Sequence, residues 1–479
     1  MSGKAEIVVV GGGISGLTAA FWLHRNGAEV TLLESEKWVG GTMRTMQRDG
    51  WLVEMGPNSA LETTPLFEEM FEVLGISGER LYARPESNKR YILRGGVLHA
   101  LPMSPGAFLK TRLWSTRAKL RLLREPLAGR ARQEESIAEF VERRLGREFL
   151  DYAINPFVAG VYAGNPEELN VRLAFPKLYA LEEKYGGLIS GMIRGARDRR
   201  KRAETAKDRA KMFSFTSGMQ TFPEAIGKLL GERVKLAAKV TSVGRNRDAA
   251  ESGRKGLEVT YEQDGEGRSL TADAVILAVP AYAASLLVRN LSAHTAEMLE
   301  AVYYPPVAEV FLGFREDQFA MALDGFGYLV PAKESRNILG TIWSSSIFPG
   351  RAPEGHVALT TFVGGARQPG LLNGDDDRIL QLVLDDIRSI MGARGEPSFT
   401  RIIRWSRAIP QYNLGYQSLL DSLDALEGEV PGLFFCSNYR GGIAVGDCLM
   451  SGKSTATRAT HYVSARRSHG HTHDPTGER

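Results

Sequence analysis

The stretch Glu6–Glu34, EIVVVGGGISGLTAAFWLHRNGAEVTLLE, decides the fold. Ile7 to Val10 form an unbroken apolar run, as a strand buried on both faces requires. Gly11, Gly13 and Gly16 follow in the spacing G-x-G-x-x-G. The first glycine permits a tight turn, the second lets backbone approach a pyrophosphate, and the third lets a helix pack closely on the strand. Leu17, Ala20, Phe21 and Leu23 give that helix an apolar face, and Gly27 reads as its C-cap. A second strand, Glu29–Leu33, ends at Glu34, placed to accept hydrogen bonds from a ribose. Strand, glycines, helix, strand and acid stand in register, and the uncapped helix start offers N–H groups to phosphate. The stretch therefore predicts a dinucleotide site.

Outward from it, 479 residues leave room for two or three domains with sizeable cores. Apolar content of 43% and charged content of 24% fit a soluble or peripherally bound globular protein, and a net charge of +4 implies no particular partner. Two cysteines, Cys436 and Cys448, exclude a disulfide framework. The first apolar stretch is the nucleotide strand itself, so no signal peptide is expected. No apolar run reaches the roughly 18 residues of a spanning helix, so any membrane attachment would be monotopic.

The dinucleotide pattern is interrupted twice. Residues 1–86 begin it, 216–285 resume it with the strand Ala274–Val279, and 405–464 close it with a strand at Leu433–Cys436, a glycine loop and a final helix. The first insertion, 87–215, reads as helical and basic: Lys110, Arg112, Arg117, Lys119, Arg121 and Arg124 interleave with leucines, and Ser136–Leu150 reads as another helix. Between Arg194 and Lys211 nine basic residues face three acidic ones. An amphipathic basic helix suits an anionic membrane surface, whereas a plain charge run is a solvated face. No nucleic-acid motif accompanies the charge. The second insertion, 286–404, alternates strand-like runs with a helix at Ile379–Met391, the pattern of an antiparallel sheet with helices beside it. The tail, 465–479, is polar and expected to be disordered; its histidines are not read as a metal site. No triad, paired-acid motif or metal cluster stands out.

Beyond Glu34 the sequence resembles a known family. Gly40, Gly41 and Arg44, then the turn Gly56-Pro57-Asn58, are similar to the FAD-dependent amine oxidase superfamily. GGGISGL, GGTMRT, GPNS, NKRYI, GVYAGNPEELNV, GFGYLVPAKE, FVGGARQPG and IPQYNLG together resemble its protoporphyrinogen oxidase branch over nearly the whole chain. The resemblance implies an α/β FAD-binding domain of the p-hydroxybenzoate-hydroxylase type, an antiparallel-sheet substrate domain and a helical membrane-binding domain. It implies one noncovalent FAD, with Gly11, Gly12, Gly13, Ile14, Ser15, Gly16 and Leu17 at the pyrophosphate and Glu34 and Ser35 at the ribose. Gly41, Thr42 and Arg44 would continue along the pyrophosphate, and Gly56, Pro57, Asn58 and Ser59 would lie by the flavin ring. Val240 would approach adenine, while Trp405 and the loop Gly442, Ile443, Ala444, Val445 would complete the site. For substrate it implies Arg90 pairing with a propionate, Gly160 approaching the reacting methylene, and Leu329 and Trp343 as apolar walls.

The activity so implied is oxidation of protoporphyrinogen IX to protoporphyrin IX in haem biosynthesis, by repeated hydride transfer to flavin with no catalytic side chain. The bridging methylenes lie between pyrroles that stabilise a cation, so little acid–base help is needed. Only one dinucleotide motif is present, so electrons should return to oxygen or a quinone, and oxygen is the acceptor expected. A cytoplasmic enzyme peripheral on the cell membrane is expected, with a homodimer left open. The alternatives are coproporphyrinogen III as substrate, an amine oxidase or carotenoid desaturase on the same scaffold, and a non-catalytic carrier of the same fold.

Overall fold

Ile7–Val10 occupies the middle of a five-stranded parallel sheet. In spatial order its strands are Val234–Lys235, Glu29–Leu33 (β2), Glu6–Val10 (β1), Ala274–Leu277 and Leu433–Phe435. Val8 stands opposite Thr31 on one side and Val275 on the other, and Ile276 opposite Phe434. Three separate stretches of chain thus build one sheet. Ile7, Val8 and Val9 are fully buried, each side chain contributing about 1.5–3 kcal/mol by leaving water. The structure, a computed structural model, describes residues 6–131, 133–191, 193–194, 210–246 and 256–470.

Helix α1, Ile14–Arg25, covers one face of this sheet together with the closing helix, Val445–Gly470. The closing helix runs past residue 464, where the tail was expected to begin: up to Gly470 the chain is helical, a correction to the sequence reading. Phe67, Phe71, Phe213, Phe215 and Phe222 form an edge-to-face cluster on the same side. They tie the Leu66–Leu74 helix to the strand Met212–Phe215, which pairs with Ala60–Leu61 and Arg80–Tyr82.

The second insertion is the antiparallel sheet expected, but larger. Its seven strands run in the order Phe399–Trp405, Val307–Arg315, His356–Gly364, Ile338–Ile342, Gly327–Leu329, Arg90–Arg94 and Val97–Ala100. The hairpin Arg90–Ala100 therefore belongs to this sheet and not to the helical insertion, so the boundary drawn at residue 87 is corrected. Gly327–Leu329 pairs with it in parallel, opposite Arg90–Ile92. The reason is side-chain parity: Leu93 joins the apolar face that Ile379, Val383 and Ile387 of the Asp376–Met391 helix cover.

The basic stretch 108–127 is not one continuous helix. It forms short helices at Pro105–Lys110 and Thr116–Arg121 and a 3-10 segment at Leu122–Leu127. Between the first two, Leu113 and Trp114 turn inward, and Trp114 stacks on Phe149 with ring centroids 4.8 Å apart. Ser115 then caps a new start by accepting from Ala118 N. Ser136 and Glu139 form a reciprocal capping box, and that helix stops at Arg144, before Gly146 with φ +97. Most of the run from Arg194 to Lys211 lies outside the described residues. No helix among those described is long and apolar enough to cross a membrane.

Candidate active site

The glycine loop is built so that each glycine answers to a different neighbour. Gly11 adopts φ +105, and a Cβ there would meet Ala278 O at 2.8 Å; a Cβ on Gly16 would collide with Gly11 O. Gly13 differs, because a Cβ there would meet nothing within 4 Å. It is the N-cap of α1 yet offers no side chain to the first-turn N–H groups of Ile14, Ser15 and Gly16. Leu17 N makes the first internal helix bond, to Gly13 O. The N-terminal end of α1 is thus open to an anionic group, with donors and a positive dipole aimed at it.

Glu34, only 8% exposed, turns toward the loop. Its Oε2 accepts from Gly12 N at 2.6 Å, and its Oε1 from Ser35 Oγ and Glu36 N. A carboxylate has about four acceptor positions, so one remains for a ribose hydroxyl. Ala238 N donates to Glu34 O, which brings the strand Ala238–Arg245, and Val240 with it, beside this acid. Gly40 N donates to Gly12 O, and a Cβ on Gly41 would lie 3.3 Å from Gly13 Cα, so the second glycine pair borders the same opening. A Cβ on Gly56 would collide with Thr42 O, while Arg44 stacks on Trp38 at 4.1 Å and accepts at its carbonyl from Met55 N. Pro57, Asn58 and Ser59 carry on from this turn, with Asn58 Nδ2 donating to Gly56 O. Trp405 closes it from the other sheet, its indole N–H donating to Met55 O at 2.9 Å.

The loop Gly442–Val445 is placed by the closing helix. A Cβ on Gly452 would lie 2.8 Å from Ser15 O, so the helix crosses α1 at its first turn. Gly442 has φ +120 and a Cβ would meet Asp447 Oδ2 at 2.6 Å, so no other residue fits; its N–H donates to Tyr412 OH. Ile443 and Ala444 then lead to the helix start at Val445. Open helix end, second glycine pair, acid with a free acceptor position and converging turn together fit a dinucleotide, and the residues expected at its pyrophosphate and ribose are the ones brought together.

Three of the four expected substrate residues share one wall. Strand parity and register put Arg90, Leu329, Phe362 and Glu309 on the same face of the seven-stranded sheet: Arg90 opposite Gly327, Leu329 opposite Gly340, Gly340 opposite Phe362, Phe362 opposite Glu309. Gly160, exposed on the helix Asn155–Tyr162, faces that wall, since a Cβ on it would sit 2.5 Å from Leu329 Cδ2. The Arg90 guanidinium stacks on Phe326 at 5.2 Å, and desolvation by the surrounding protein lowers its pKa. It has no ion-pair partner among the described residues. Trp343 does not join this wall. It is fully buried on the opposite face, against Tyr91 and Tyr328, because Trp343 follows the strand Ile338–Ile342 and turns into the core under the Asp376–Met391 helix. The expected role of Trp343 is thereby corrected to core packing.

The sequence reading missed four polar groups near this wall. Arg367 donates to Asn155 Oδ1 and Val330 O, and burial lowers its pKa to about 10. Glu54, Glu309 and Arg351 are each at most 5% exposed. Glu54 accepts from Thr45 Oγ1 and Met219 N, and Arg351 donates to Ser214 Oγ and Phe215 O. A signal did exist for Glu309: it is a lone acid within VAEVFLGF, where an apolar residue would otherwise be expected. Arg367 lies inside the quoted FVGGARQPG.

The family description "Flavin containing amine oxidoreductase" matches residues 14–460. Among curated proteins, the mitochondrial protoporphyrinogen oxidase of Nicotiana tabacum is 33% identical over 486 residues, covering 96% of each chain. The coproporphyrinogen III oxidase of Bacillus subtilis is 31% identical over 480 residues, covering 96% of this chain and 99% of its own. Among solved structures, one from Exiguobacterium assigned as a protoporphyrinogen oxidase superposes with a TM-score of 0.78 at 24% identity, over 97% of this chain and 100% of its own. Cyclohexylamine oxidase from Brevibacterium oxydans shares the fold at a TM-score of 0.68 and 16% identity, over 96% and 100%.

Proposed function

The chain belongs to the flavin-containing amine oxidoreductases and is an FAD-dependent enzyme, and we propose that it oxidises protoporphyrinogen IX to protoporphyrin IX. The observation that carries this reading is the wall described above: an arginine with no ion-pair partner among the described residues shares a sheet face with Leu329, which packs on the helix backbone at Gly160. Relatives of both porphyrinogen classes at nearly full length support it.

FAD, when bound, supplies the hydride acceptor. The chain's own residues do the rest. Arg90 presents a planar fork to a propionate, a contact that gains strength where water is scarce. Gly160, lacking a side chain, lets Leu329 pack directly on the helix backbone, and Leu329 would supply an apolar surface to one pyrrole. The start of the helix Val445–Gly470, following the Gly442 loop, would favour negative charge on a flavin ring held there. Oxygen is the acceptor in this reading, and FAD is held without a covalent bond.

Peripheral attachment to the cytoplasmic face of the cell membrane completes the proposal. Met103, Leu109, Leu120, Leu123 and Leu127 are between 60% and 85% exposed, an unusual density of bare apolar side chains for one region. Arg112, Arg117 and Arg124 stand exposed among them. Coproporphyrinogen III remains the second reading, favoured by Arg367: a second cation, outside any ion pair among the described residues, bonded to Val330 next to Leu329.

The test is anaerobic reduction of the bound flavin by protoporphyrinogen and coproporphyrinogen in parallel. Faster reduction by the former upholds the reading, faster reduction by the latter transfers it to the second substrate, and reduction by neither overturns both.

A further inference from the structure

Behind the flavin turn lies a cluster that hydride transfer does not use. Glu54 directly precedes Met55, whose carbonyl the Trp405 indole binds, and Glu309 stands on the sheet face against the same indole. Arg351 Nη2 lies 3.8 Å from Glu54 Oε1. Two polar atoms of this group, Glu309 Oε2 and Arg351 Nη1, are buried with no hydrogen-bond partner. Such atoms cost free energy, so their retention calls for a reason. Glu54 and Arg351, with Asn58 and Ser59 of the turn, line a cavity of about 10 Å³, room for a single water. Arg351 also lines a groove of about 790 Å³ that opens to solvent. Arg351 thus borders both the small cavity beside Glu54 and the solvent-open groove.

We propose that Glu54 and Glu309 form a proton acceptor coupled to the flavin, taking up one proton when the flavin becomes reduced and returning it when the flavin is reoxidised. The inference rests on the placement of the flavin ring at the Gly56–Asn58 turn. Its physical basis is charge: reduction adds negative charge next to two carboxyl groups, which favours their protonated forms. Burial already raises the pKa of Glu54 to about 7, against the lowering by Thr45, Arg351 and the Met219 N–H. Burial raises that of Glu309 to about 8, with the Glu54 carboxyl raising it further and Trp405 lowering it. The charged groups bearing on the pair are thus each other and Arg351. At neutral pH the pair has both a proton to give and a place to receive one. For a porphyrinogen the balance closes: the C–H electron pair leaves as hydride to the flavin, and the proton lost from a pyrrole N–H passes to a carboxylate of the pair. Dioxygen later takes the electrons and the proton returns with them.

The experiment is a potentiometric titration of the holoenzyme with dithionite between about pH 6 and 9, wild type beside Glu54→Gln, Glu309→Gln and the double variant. For a two-electron couple each proton taken up moves the midpoint by about 30 mV per pH unit. The wild-type slope should exceed that of the double variant by about one proton's worth near pH 7–8, with each single variant in between. Parallel slopes in wild type and Glu309→Gln would overturn the proposal. Glu309→Gln is the safer variant to fold, because Oε2 has no partner to lose. No porphyrinogen enters the titration, so an unreactive substrate would defeat the reading above without touching this result. Infrared spectra of the oxidised protein give the second measurement: a protonated-carboxyl C=O band that fades from pH 6 to 9 in wild type and is weaker in Glu309→Gln. The absence of any such band at pH 6 would also overturn it.

Discussion

Gly13 and Gly16 stand three residues apart and should fail in opposite ways when replaced. A side chain on Gly13 meets only the open mouth of the site, so Gly13→Val should fold normally and purify without flavin. A side chain on Gly16 meets Gly11 O, so Gly16→Ala should lose stability as well, in the range of about 1–3 kcal/mol for overpacking. Thermal melts beside flavin absorbance separate the two; a yellow Gly13→Val protein at full occupancy would contradict the cofactor placement. Arg90 carries the substrate prediction. Its side chain is exposed, so its contact becomes a buried one only when substrate covers it. Truncating such a pair costs about 2–5 kcal/mol, so Arg90→Ala should lower kcat/KM at least tenfold, each ~1.4 kcal/mol being a factor of ten. Flavin content should be unchanged, and Arg90→Lys should recover only part of the loss. A porphyrinogen with esterified propionates should show no difference between wild type and Arg90→Ala; if a difference persists there, Arg90 acts on something other than a carboxylate.

At the scale of elements, the basic helices carry the membrane prediction. Arg121 is unsuitable for a test because its guanidinium caps Glu142 O and Arg143 O and so holds the neighbouring helix end. Arg112, Arg117 and Arg124 are free of that duty. Each basic residue near an anionic surface is worth about 1 kcal/mol, so replacing all three by Glu should sharply weaken sedimentation with anionic liposomes at low salt. Leu123→Asp should weaken it at all salt concentrations, and equal sedimentation of every variant would leave these residues as solvated surface. The same region shows what a sequence does and does not disclose. Periodicity announces helices at 108–127 and 136–150. It could not announce the break at Leu113-Trp114, which exists because Phe149, more than thirty residues on, offers Trp114 a stacking partner. The β1–α1–β2 unit was legible because strand, turn and helix signals there are local. Asn88–Ile92 reads as a strand and Gly95-Gly96 as a hairpin turn, but nothing local tells which sheet they join, since the parallel partner lies beyond residue 326. Glu54 and Arg351 were illegible as a pair for the same reason.

For the molecule as a whole, the buried carboxyls set a pH dependence of stability. Glu54 and Glu309 have folded pKa values raised above that of an unfolded carboxyl, so the folded state binds more protons than the unfolded one between about pH 4.5 and 8. Their contribution is therefore most favourable at low pH and is lost as pH rises through that window. Tm of wild type should fall from pH 6 to 8.5 more steeply than that of the Glu54→Gln/Glu309→Gln double variant, other groups being common to both; equal slopes would show that neither group is held protonated. Acid precipitation should release the flavin to the supernatant, because both cysteines are buried, Cys436 fully and Cys448 to within 6%. Flavin retained on the pellet would contradict noncovalent binding.

The interleaved sheet also has a consequence for how the protein is made. Glu6 bonds Asp273 across 267 positions, and Ser15 O receives Cys436 Sγ across 421. On the ribosome, β1 emerges first, yet its second neighbour appears past the midpoint of translation and the helix that crosses α1 comes last. Until then an apolar strand has one bare edge, a template for wrong pairings, and distant contacts of this kind close slowly. A chain arrested before residue 433 should depend on chaperones and stay colourless, acquiring its cofactor only when the final segment docks.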